Sequence, residues 1–315
     1  MNFTRKSVPF NPSTDIPSLT GKVILVTGGN IGLGKQCVLE YAKHNPDVIW
    51  LAARNATKAQ AAIAEIESQL PKPSETAIKF LELDLSSLES VKNAATTVLA
   101  ESPRLDILML NAGIMAAPPG LTVNGYEVQF GTNYLSHILL ARLLMPLREK
   151  TATSFSDARV ILLSSYGHNL TPKDGIIFSS LRTDGASLGP YERYGQSKLA
   201  MILWAKEAGR RYPNLTVVSV HPGIVRTNLM AGATGSPCWV RVLWRVLGKA
   251  ASYALASVEE GVRNQLWASV SPDVKSGAYY EPVGVEGGES ESAKDEGLAR
   301  ELWEWTESEL GKHLM

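Results

Sequence analysis

Short apolar segments alternate with longer amphipathic segments along most of the chain. The apolar segments are rich in Val, Ile and Leu, the composition of strands that are buried on both faces of a sheet. Strands are predicted at residues 22–27, 48–53, 78–83, 105–110, 159–163 and 215–220. Helices are predicted between them, from the glycine-rich segment after the first strand to about residue 44, and then at 57–70, 86–100, 125–148 and 194–211.

This alternation of short strands and longer helices is typical of a parallel sheet that is covered on both faces. Because parallel crossover connections are right-handed, the sheet is predicted to be doubly wound. The predicted fold class is therefore α/β, a Rossmann-type doubly wound parallel sheet with three layers, α/β/α, in a single domain. The ligands of such sheets bind at the carboxyl ends of the strands.

The two ends of the chain fall outside this alternation. The first twenty residues contain Pro9, Pro12 and Pro17 and show no periodic spacing of apolar residues. An extended arm is therefore predicted over residues 1–20. The domain itself is predicted over residues 21–285, followed by a C-terminal extension over residues 286–315. The polar, glycine-rich residues 284–297 predict an exposed loop, and residues 298–312 predict a terminal helix.

Composition and charge exclude several classes of protein. The 315 residues carry 31 basic and 31 acidic side chains, so the chain lacks the basic excess of proteins that bind nucleic acid through phosphates. Two cysteines, Cys37 and Cys238, are too few for a disulfide framework and indicate a reducing compartment. The five histidines show no metal-ligand spacing, so no metal site is predicted. Without an apolar segment that could span a membrane, a cytoplasmic location is expected.

A glycine-rich segment follows the first strand and opens the first helix. Gly28, Gly32 and Gly34 give it the spacing G-x-x-x-G-x-G. Glycines at such a turn let a pyrophosphate approach the N-terminus of the helix, where backbone N–H groups bind anions. Between a strand and a helix, this spacing predicts a dinucleotide-binding loop, and the alternative is a plain glycine turn.

The end of the second strand indicates which dinucleotide binds. Counting 20 residues from Gly34 leads to Arg54, where an acid would be expected if the loop bound a ribose 2′-hydroxyl. A guanidinium suits a 2′-phosphate, and Lys35 adds a second positive charge beside the glycine turn. NADP is therefore predicted rather than NAD. The alternative is that Arg54 is an ordinary solvated surface residue.

Polar and small residues end the third and fourth strands. Asp84 could bind the adenine amino group, or it could cap the following helix, as Ser86 or Ser87 could also do. Asn111 could tie neighbouring strand ends together. Ala112 and Gly113 are small enough to let a ribose approach closely.

Tyr194 and Lys198 form a Y-x-x-x-K spacing that places both side chains on one face of a helix. A tyrosine pKa near 10 makes a poor base at neutral pH, and a nearby ammonium would stabilise the phenolate and lower that pKa. Ser164 and Ser165 end the fifth strand, where a hydroxyl could polarise a substrate carbonyl. Asn133 lies inside a predicted helix, where asparagine is mildly unfavourable. Its side chain could hold a bound water, or it could be an ordinary hydrogen-bonded polar residue.

Together these motifs resemble the classical short-chain dehydrogenase/reductase family over residues 20–267. Their order along the chain is that of the family, and residues 221–227 are similar to its P-G-x-V-x-T segment. The segments NIGLGK, NYLSHILL and YGQSKLA resemble the branch of retinol dehydrogenases and WW-domain-containing oxidoreductases. The 29 residues from Ser165 to Tyr194 make a longer gap than simple members have, and the extra segment is expected to border the substrate pocket.

The resemblance implies hydride transfer between NADP(H) and a carbonyl or secondary alcohol. It makes Tyr194 the acid and base and Ser165 the group that holds the substrate oxygen, with Ser164 in reserve. It also implies that Lys198 binds the ribose and that Asn133 supports a proton-relay water. Cofactor contacts are implied at Gly28, Asn30, Ile31, Gly32, Leu33, Gly34, Lys35, Arg54, Asp84, Leu85, Asn111, Ala112, Gly113, Tyr194, Lys198, Pro222, Gly223, Val225 and Thr227. Dimers and tetramers are common in the family, although the long ends of this chain could block the usual interface.

Residues 228–250 are predicted to form a flap over the substrate. An apolar cluster with basic side chains, residues 239–247, lies within the flap, and the alternative is an amphipathic helix on a membrane surface. With Met115, this cluster favours a small hydrophobic substrate of lipid-like, polyketide or terpenoid type. Two other functions stay open, a sensor that binds the dinucleotide without hydride transfer and an epimerase or dehydratase on the same fold.

Overall fold

The centre of the protein is a parallel β-sheet. The computed structural model describes residues 6–72, 74–155, 157–225, 233–235 and 256–314, and within these ranges the sheet has seven strands. They are β1 Val23–Thr27, β2 Val48–Ala53, β3 Ala77–Glu82, β4 Ile107–Leu110, β5 Arg159–Leu163, β6 Thr216–Val220 and β7 Tyr279–Tyr280. Their order in the sheet is β3-β2-β1-β4-β5-β6-β7, and all neighbours are parallel. The strand order reverses between β1 and β4, as the predicted doubly wound fold requires.

Helices cover both faces of the sheet. They are α1 Pro12–Asp15, α2 Gly32–Ala42, α3 Ala56–Glu67, α4 Leu88–Glu101, α5 Val128–Phe130, α6 Ser136–Leu143, α7 Met145–Phe155, α8 Pro190–Arg211, α9 Val258–Gly261, α10 Arg263–Val270, α11 Glu291–Lys294 and α12 Glu296–Leu314. Helices α2, α3 and α10 pack on one face, and α4, α6, α8 and α12 pack on the other. The predicted three-layer architecture is confirmed.

Burial on both faces explains why the strands are continuous apolar segments. All five residues of β1 are buried. Val23 and Leu25 belong to the core under one helical layer, whereas Ile24 and Val26 belong to the core under the other. Successive side chains of a strand point to opposite faces, so a strand between two layers needs apolar residues at every position.

The predicted helix over residues 125–148 is wrong, because the structure divides this segment. A π-helical turn, Gly131–Leu135, separates α5 from α6, and α6 ends before α7 begins at Met145. Pro146 has no N–H to donate to a preceding turn and its ring restricts the backbone, so it is accepted at the start of a helix but not inside one. The π turn carries Asn133, the residue whose position inside a helix called for an explanation.

Both ends of the chain contribute to the core. Residues 12–15 form a short helix where an extended arm was predicted, and Ile16 and Leu19 behind it are buried. At the other end, Leu302 and Leu310 of α12 are buried, and Trp303 stacks on Trp204 of α8 with ring centroids 5.8 Å apart. The predicted loop over residues 284–297 contains helix α11.

The predicted flap lies mostly outside the described residues. Thr227, Cys238 and the apolar cluster at residues 239–247 fall there, and of residues 228–250 the structure describes only 233–235. In this short piece, the N–H of Gly235 donates to the carbonyl of Ala116 at 2.9 Å. None of the helices described is both long enough and apolar enough to cross a membrane.

Candidate active site

The glycine-rich segment forms a tight turn between β1 and α2. Gly28 and Gly32 adopt the left-handed conformation, with φ of +66° and +54°. A Cβ on Gly34 would lie 2.3 Å from the carbonyl oxygen of Gly28, so only glycine lets the helix begin this close to the strand. Ile31, the N-cap residue of α2, gives the helix no side-chain cap. This helix N-terminus is open, and it is formed by Asn30, Ile31, Gly32 and Leu33. Its free backbone N–H groups suit the pyrophosphate of a dinucleotide.

The two predicted cations beside this turn have different surroundings. Arg54 directly follows β2 and its side chain is exposed. Across the described part of the chain, no ion pair involves Arg54. Lys35 instead pairs with Glu65 of α3, with Nζ and Oε2 2.5 Å apart. Arg54 is therefore better placed than Lys35 to bind the 2′-phosphate that distinguishes NADP from NAD.

The ends of β3 and β4 support the site in different ways. Oδ1 of Asp84 accepts hydrogen bonds from the N–H and the hydroxyl of Ser86, at 2.9 and 2.8 Å. The following helix, α4, is capped by Ser87, so Asp84 is not its cap. Leu85 is buried, and its carbonyl accepts from the hydroxyl of Ser136 at 2.7 Å.

Asn111 ties the end of β4 to the end of β1. Its backbone N–H donates to Oγ1 of Thr27 and its side-chain amide donates to the Thr27 carbonyl, both at 2.9 Å. The N–H of Ala112 also donates to Oγ1 of Thr27, at 3.0 Å. This is the structural role that the sequence left open for Asn111, and it fixes the start of the glycine turn relative to the central strand.

Gly113 marks the point where the predicted catalytic groups converge. A Cβ at Gly113 would lie 3.3 Å from Oδ1 of Asn133 and 3.5 Å from Nζ of Lys198. The lysine and the asparagine come from α8 and the π turn, so three segments meet at this glycine. Its missing side chain leaves room beside Lys198, which suits the predicted approach of a ribose.

Tyr194 and Ser165 are brought together at the carboxyl edge of the sheet. Tyr194 lies on α8 and is 3 % exposed, and its hydroxyl is hydrogen-bonded to the side chain of Ser165. The N–H of Gly167 donates to Oγ of Ser165 at 3.0 Å. Ser164 instead donates its hydroxyl to the carbonyl of Lys198 at 2.8 Å. The structure thus places Ser165 at the tyrosine and Ser164 in the packing of α8.

The electrostatics of this pair differ from the sequence-based expectation. Burial raises the pKa of Tyr194 to about 12, and the hydrogen bond with Ser165 opposes that rise. Nζ of Lys198 lies 5.7 Å from the centroid of the Tyr194 ring and donates to the carbonyl of Leu163 at 2.9 Å. Burial lowers the pKa of Lys198 to about 8. At neutral pH the tyrosine is therefore protonated and able to donate a proton, and the lysine is still a cation.

Asn133 links the segment after β4 to helix α8. Its Oδ1 accepts from the N–H of Ile114 at 2.8 Å, and its Nδ2 donates to the Ile114 carbonyl at 2.9 Å and to Oγ of Ser197 at 3.0 Å. Ser197 in turn donates to the carbonyl of Tyr194 at 2.7 Å. The side-chain amide of Asn133 therefore holds the tyrosine helix in place, and a relay water would have to use its backbone carbonyl.

The segment after β6 returns to the N-terminus of α2. Pro222 is followed by Gly223, which has a φ of +87°. A Cβ on Gly261 would lie 2.3 Å from Cγ2 of Val225 and 3.1 Å from Cδ2 of Leu33. Val225 and Leu33 thus both pack against Gly261, the last residue of α9. The segment after β6 therefore lies beside the dinucleotide loop, as the motif predicts.

A cavity of about 680 Å³ opens at the ends of β5, β6 and β7. Its walls include Tyr166 and His221, which follow β5 and β6, and the carboxylates Glu281 and Glu289. Pockets of this size hold small organic molecules. Tyr166 directly follows Ser165, but Ser165, Tyr194 and Lys198 are not among the residues that line the cavity.

The sequence missed the role of one residue at the site, Thr27, and missed two others, Gly167 and His137. Thr27 ties two strand ends together, Gly167 leaves space for the Tyr194 ring, and His137 bonds to both Thr27 and Asn133. A Cβ on Gly167 would lie 2.6 Å from Cε1 of Tyr194. The available signals were a hydroxyl at the end of β1, a glycine two residues after the serine, and a histidine four residues after the asparagine.

Comparisons with known proteins agree with this geometry. The family profile described as short chain dehydrogenase matches residues 22–236. The short-chain dehydrogenase/reductase drtF of Aspergillus calidoustus is 39% identical over 313 residues, which cover 94% of this chain and 96% of that protein. Human retinol dehydrogenase 14 is 35% identical over 306 residues, covering 92% of this chain and 87% of that protein.

Solved structures resemble the chain over most of its length. A crystal structure of an uncharacterised protein from Mycobacterium paratuberculosis has a TM-score of 0.70 and 29% identity, covering 94% of this chain and 96% of that one. The structure of an NADPH-bound carbonyl reductase from chicken fatty liver has a TM-score of 0.60 and 23% identity, covering 83% of this chain and 96% of that one. At 23% identity, the resemblance to the carbonyl reductase shows a shared fold and nothing further.

Proposed function

Because the chain belongs to the short-chain dehydrogenase/reductase family of oxidoreductases, we propose that it transfers hydride between NADP(H) and a carbonyl or secondary alcohol. The convergence of Ser165, Tyr194 and Lys198 beside an open helix N-terminus carries this proposal. A protein that only sensed the dinucleotide would need the helix N-terminus, but it would not need a buried tyrosine and lysine next to a serine hydroxyl.

The chain's own groups divide the work of the reaction. When bound, the reduced nicotinamide supplies the hydride that reaches the carbonyl carbon. Ser165 donates a hydrogen bond to the carbonyl oxygen and so polarises the carbonyl. Tyr194, protonated at neutral pH, gives its proton to that oxygen as the alcohol forms. Lys198 holds the ribose and contributes positive charge beside the phenol.

NADP is the proposed cofactor because Arg54 stands where an acid would bind the hydroxyl of NAD. The carbonyl reductase from chicken fatty liver is NADPH-bound, and RhlG of Pseudomonas aeruginosa was solved as an NADP complex. Both proteins share the fold, which supports the same choice here. The pairing of Lys35 with Glu65 leaves Arg54 as the main determinant.

Replacing Arg54 with glutamine is expected to weaken NADPH binding by about tenfold or more and to leave NADH binding unchanged. A charge-assisted bond to a phosphate is worth about 1.5–3 kcal/mol, and 1.4 kcal/mol corresponds to about a tenfold change. Titration of cofactor fluorescence measures both dissociation constants. Lys150→Gln, which removes an exposed cation on α7, is the control. Equal weakening of NADPH and NADH binding by Arg54→Gln would contradict a contact with the 2′-phosphate.

A small hydrophobic molecule is the proposed substrate class. The apolar cluster at residues 239–247 lies outside the described residues, but exposed apolar side chains flank the site. Tyr166 and Leu170 follow Ser165, and Ile224 follows Gly223, with exposures of 37%, 46% and 53%. Of these three residues, Tyr166 also lines the cavity of about 680 Å³. Exposed apolar side chains near a cavity often mark a ligand-binding site.

The proposed reaction can be tested with a mixture of small metabolites. Purified protein is incubated with NADPH and the extract, and the products are identified by mass spectrometry. We expect a compound that gains two hydrogens with the wild-type protein and not with Tyr194→Phe. Cofactor binding without a reduced product, and without an oxidised product when NADP+ replaces NADPH, would favour the sensor function instead.

A further inference from the structure

His137 is a buried histidine that the proposed mechanism does not use. It lies on α6, one turn after Asn133, and its exposure is 0%. Nδ1 lies 2.7 Å from the backbone carbonyl oxygen of Asn133, and Nε2 lies 2.9 Å from Oγ1 of Thr27. One imidazole therefore joins the π turn to the last residue of β1.

The partners of His137 fix its protonation. A carbonyl oxygen only accepts hydrogen bonds, so Nδ1 carries a proton and donates it to Asn133. Burial lowers the pKa of His137 to about 4, so the ring is neutral at physiological pH. In the neutral ring Nε2 has no proton, so it accepts, and the hydroxyl of Thr27 is the donor.

The direction of the Thr27 hydroxyl matters for the neighbouring strand. Oγ1 of Thr27 accepts the N–H groups of Asn111 and Ala112, at 2.9 and 3.0 Å. Two accepted bonds and one donated bond use the full capacity of a hydroxyl. The other acceptor near this hydroxyl is the carbonyl of Met109, at 3.4 Å. Without His137, the hydroxyl proton of Thr27 would turn towards the carbonyl of Met109. The lone pairs of Oγ1 would then point away from the two amides that they accept from.

The other end of the imidazole acts on Asn133. The side chain of Asn133 already holds both backbone polar groups of Ile114 and the hydroxyl of Ser197. The bond from His137 fixes the backbone carbonyl of the same residue. That carbonyl is the atom left for the relay water, and its second lone pair can still accept a hydrogen bond that the water donates.

We propose that His137 is a positioning residue, which holds the relay carbonyl of Asn133 and the hydroxyl of Thr27 in a fixed relation through one neutral ring. The role of the relay rests on the proposed function, whereas the link between the two segments does not. The ring connects the start of the dinucleotide loop to the segment that supports Tyr194. It sets the geometry of both without contacting either reactant.

Two conservative variants separate the two ends of the ring. Asparagine at position 137 places an amide donor where Nδ1 stands, and glutamine places an amide oxygen near the position of Nε2. His137→Asn therefore retains the bond to Asn133, and His137→Gln retains the bond to Thr27. His137→Leu removes both, and His44→Asn, at a half-buried histidine whose Nε2 lies 2.9 Å from the carbonyl oxygen of Pro12, is the control for loss of a histidine far from the site.

Residue-resolved amide hydrogen exchange tests the proposal without a substrate. The amides of Asn111 and Ala112 report on Thr27, and the amide of Ile114 reports on Asn133. We expect faster exchange at Asn111 and Ala112 in the Asn and Leu variants, and at Ile114 in the Gln and Leu variants. Equal changes at all three amides in every variant, or no change in His137→Leu, would overturn the proposal.

Steady-state kinetics with NADPH then separates the inference from the proposed function. In His137→Gln, kcat should fall about ten- to hundredfold with little change in the KM for NADPH, since a small misplacement near the reacting groups has this cost. In His137→Asn, the KM for NADPH should rise more than kcat falls. If the wild-type protein transfers no hydride, the proposed function fails, and the exchange pattern still decides the role of His137.

Discussion

Replacing Tyr194 with phenylalanine is expected to lower turnover by about 10²–10⁴-fold, the usual contribution of a general acid or base. Phenylalanine keeps the ring that packs against Gly167 and removes only the hydroxyl that is hydrogen-bonded to Ser165. The lost group is the proton donor to the substrate oxygen. NADPH binding should be retained, because the open N-terminus of α2 and Arg54 are unchanged.

The pKa of Tyr194 determines the protonation state of its hydroxyl at the pH of the assay. Burial raises that pKa to about 12, so the hydroxyl is protonated throughout the neutral range and ready for the direction of reduction. Reduction of a carbonyl by NADPH should therefore be assayed near pH 7, by the fall in cofactor absorbance. NADPH dissociation constants should be measured on the same samples by fluorescence titration.

Tyr191→Phe is the matched control for this experiment. Tyr191 lies three residues earlier on α8, so the control removes the same hydroxyl from the same helix. We expect Tyr191→Phe to keep the turnover of the wild-type protein. Wild-type turnover in Tyr194→Phe would show that another group donates the proton, and loss of NADPH binding in it would show that the hydroxyl serves the cofactor site instead.

The parts of the fold that were predicted correctly are those that short, contiguous segments determine. The first, second and fifth strands are apolar at nearly every position, and β2 and β5 have the predicted bounds. The glycine turn was also predictable, because Gly28, Gly32 and Gly34 act through their own backbones and their immediate neighbours. Local chemistry of this kind is visible in the sequence itself.

The parts that were missed depend on contacts between distant segments. β7 has two residues, Tyr279 and Tyr280, and forms because β6 offers its edge. The bond between Thr27 and His137 spans 110 positions, and no spacing rule connects them. The π turn at Asn133 is likewise stabilised by side-chain bonds to Ile114 and Ser197, which a helical periodicity does not reveal.

A buried ion pair beside Tyr194 was also invisible in the sequence. Arg193 of α8 and Glu127, which precedes α5, are 1% and 2% exposed, and Nη1 and Oε1 are 2.9 Å apart. Arg193 also donates to the carbonyls of Ala117 and Pro118, at 2.8 and 3.3 Å. The pair therefore anchors the residue next to the tyrosine to the segment that follows β4.

Replacing Glu127 with glutamine is expected to lower the free energy of unfolding by about 3–5 kcal/mol, because it leaves the guanidinium of Arg193 buried without its counter-charge. The carboxylate has a second role, since its Oε2 accepts the N–H of Phe130 at 2.7 Å at the start of α5. Urea denaturation followed by fluorescence measures the loss. Glu101→Gln is the control, because it breaks an exposed pair with Lys79 and should cost less than about 1 kcal/mol.

Removing both charges of the buried pair should be less harmful than removing one. In the double variant Glu127→Leu with Arg193→Met, neither charge is left uncompensated, and apolar side chains fill the same space beneath Gly185. We expect much of the lost free energy of unfolding to return, with a remaining deficit of about 2 kcal/mol from the carbonyls of Ala117 and Pro118 and from the N–H of Phe130, which lose their partners. If the double variant were as unstable as the sum of Glu127→Leu and Arg193→Met measured alone, burial of an unpaired charge would not be the cause, since independent effects add. The loss would then come from the hydrogen bonds of each side chain to the backbone.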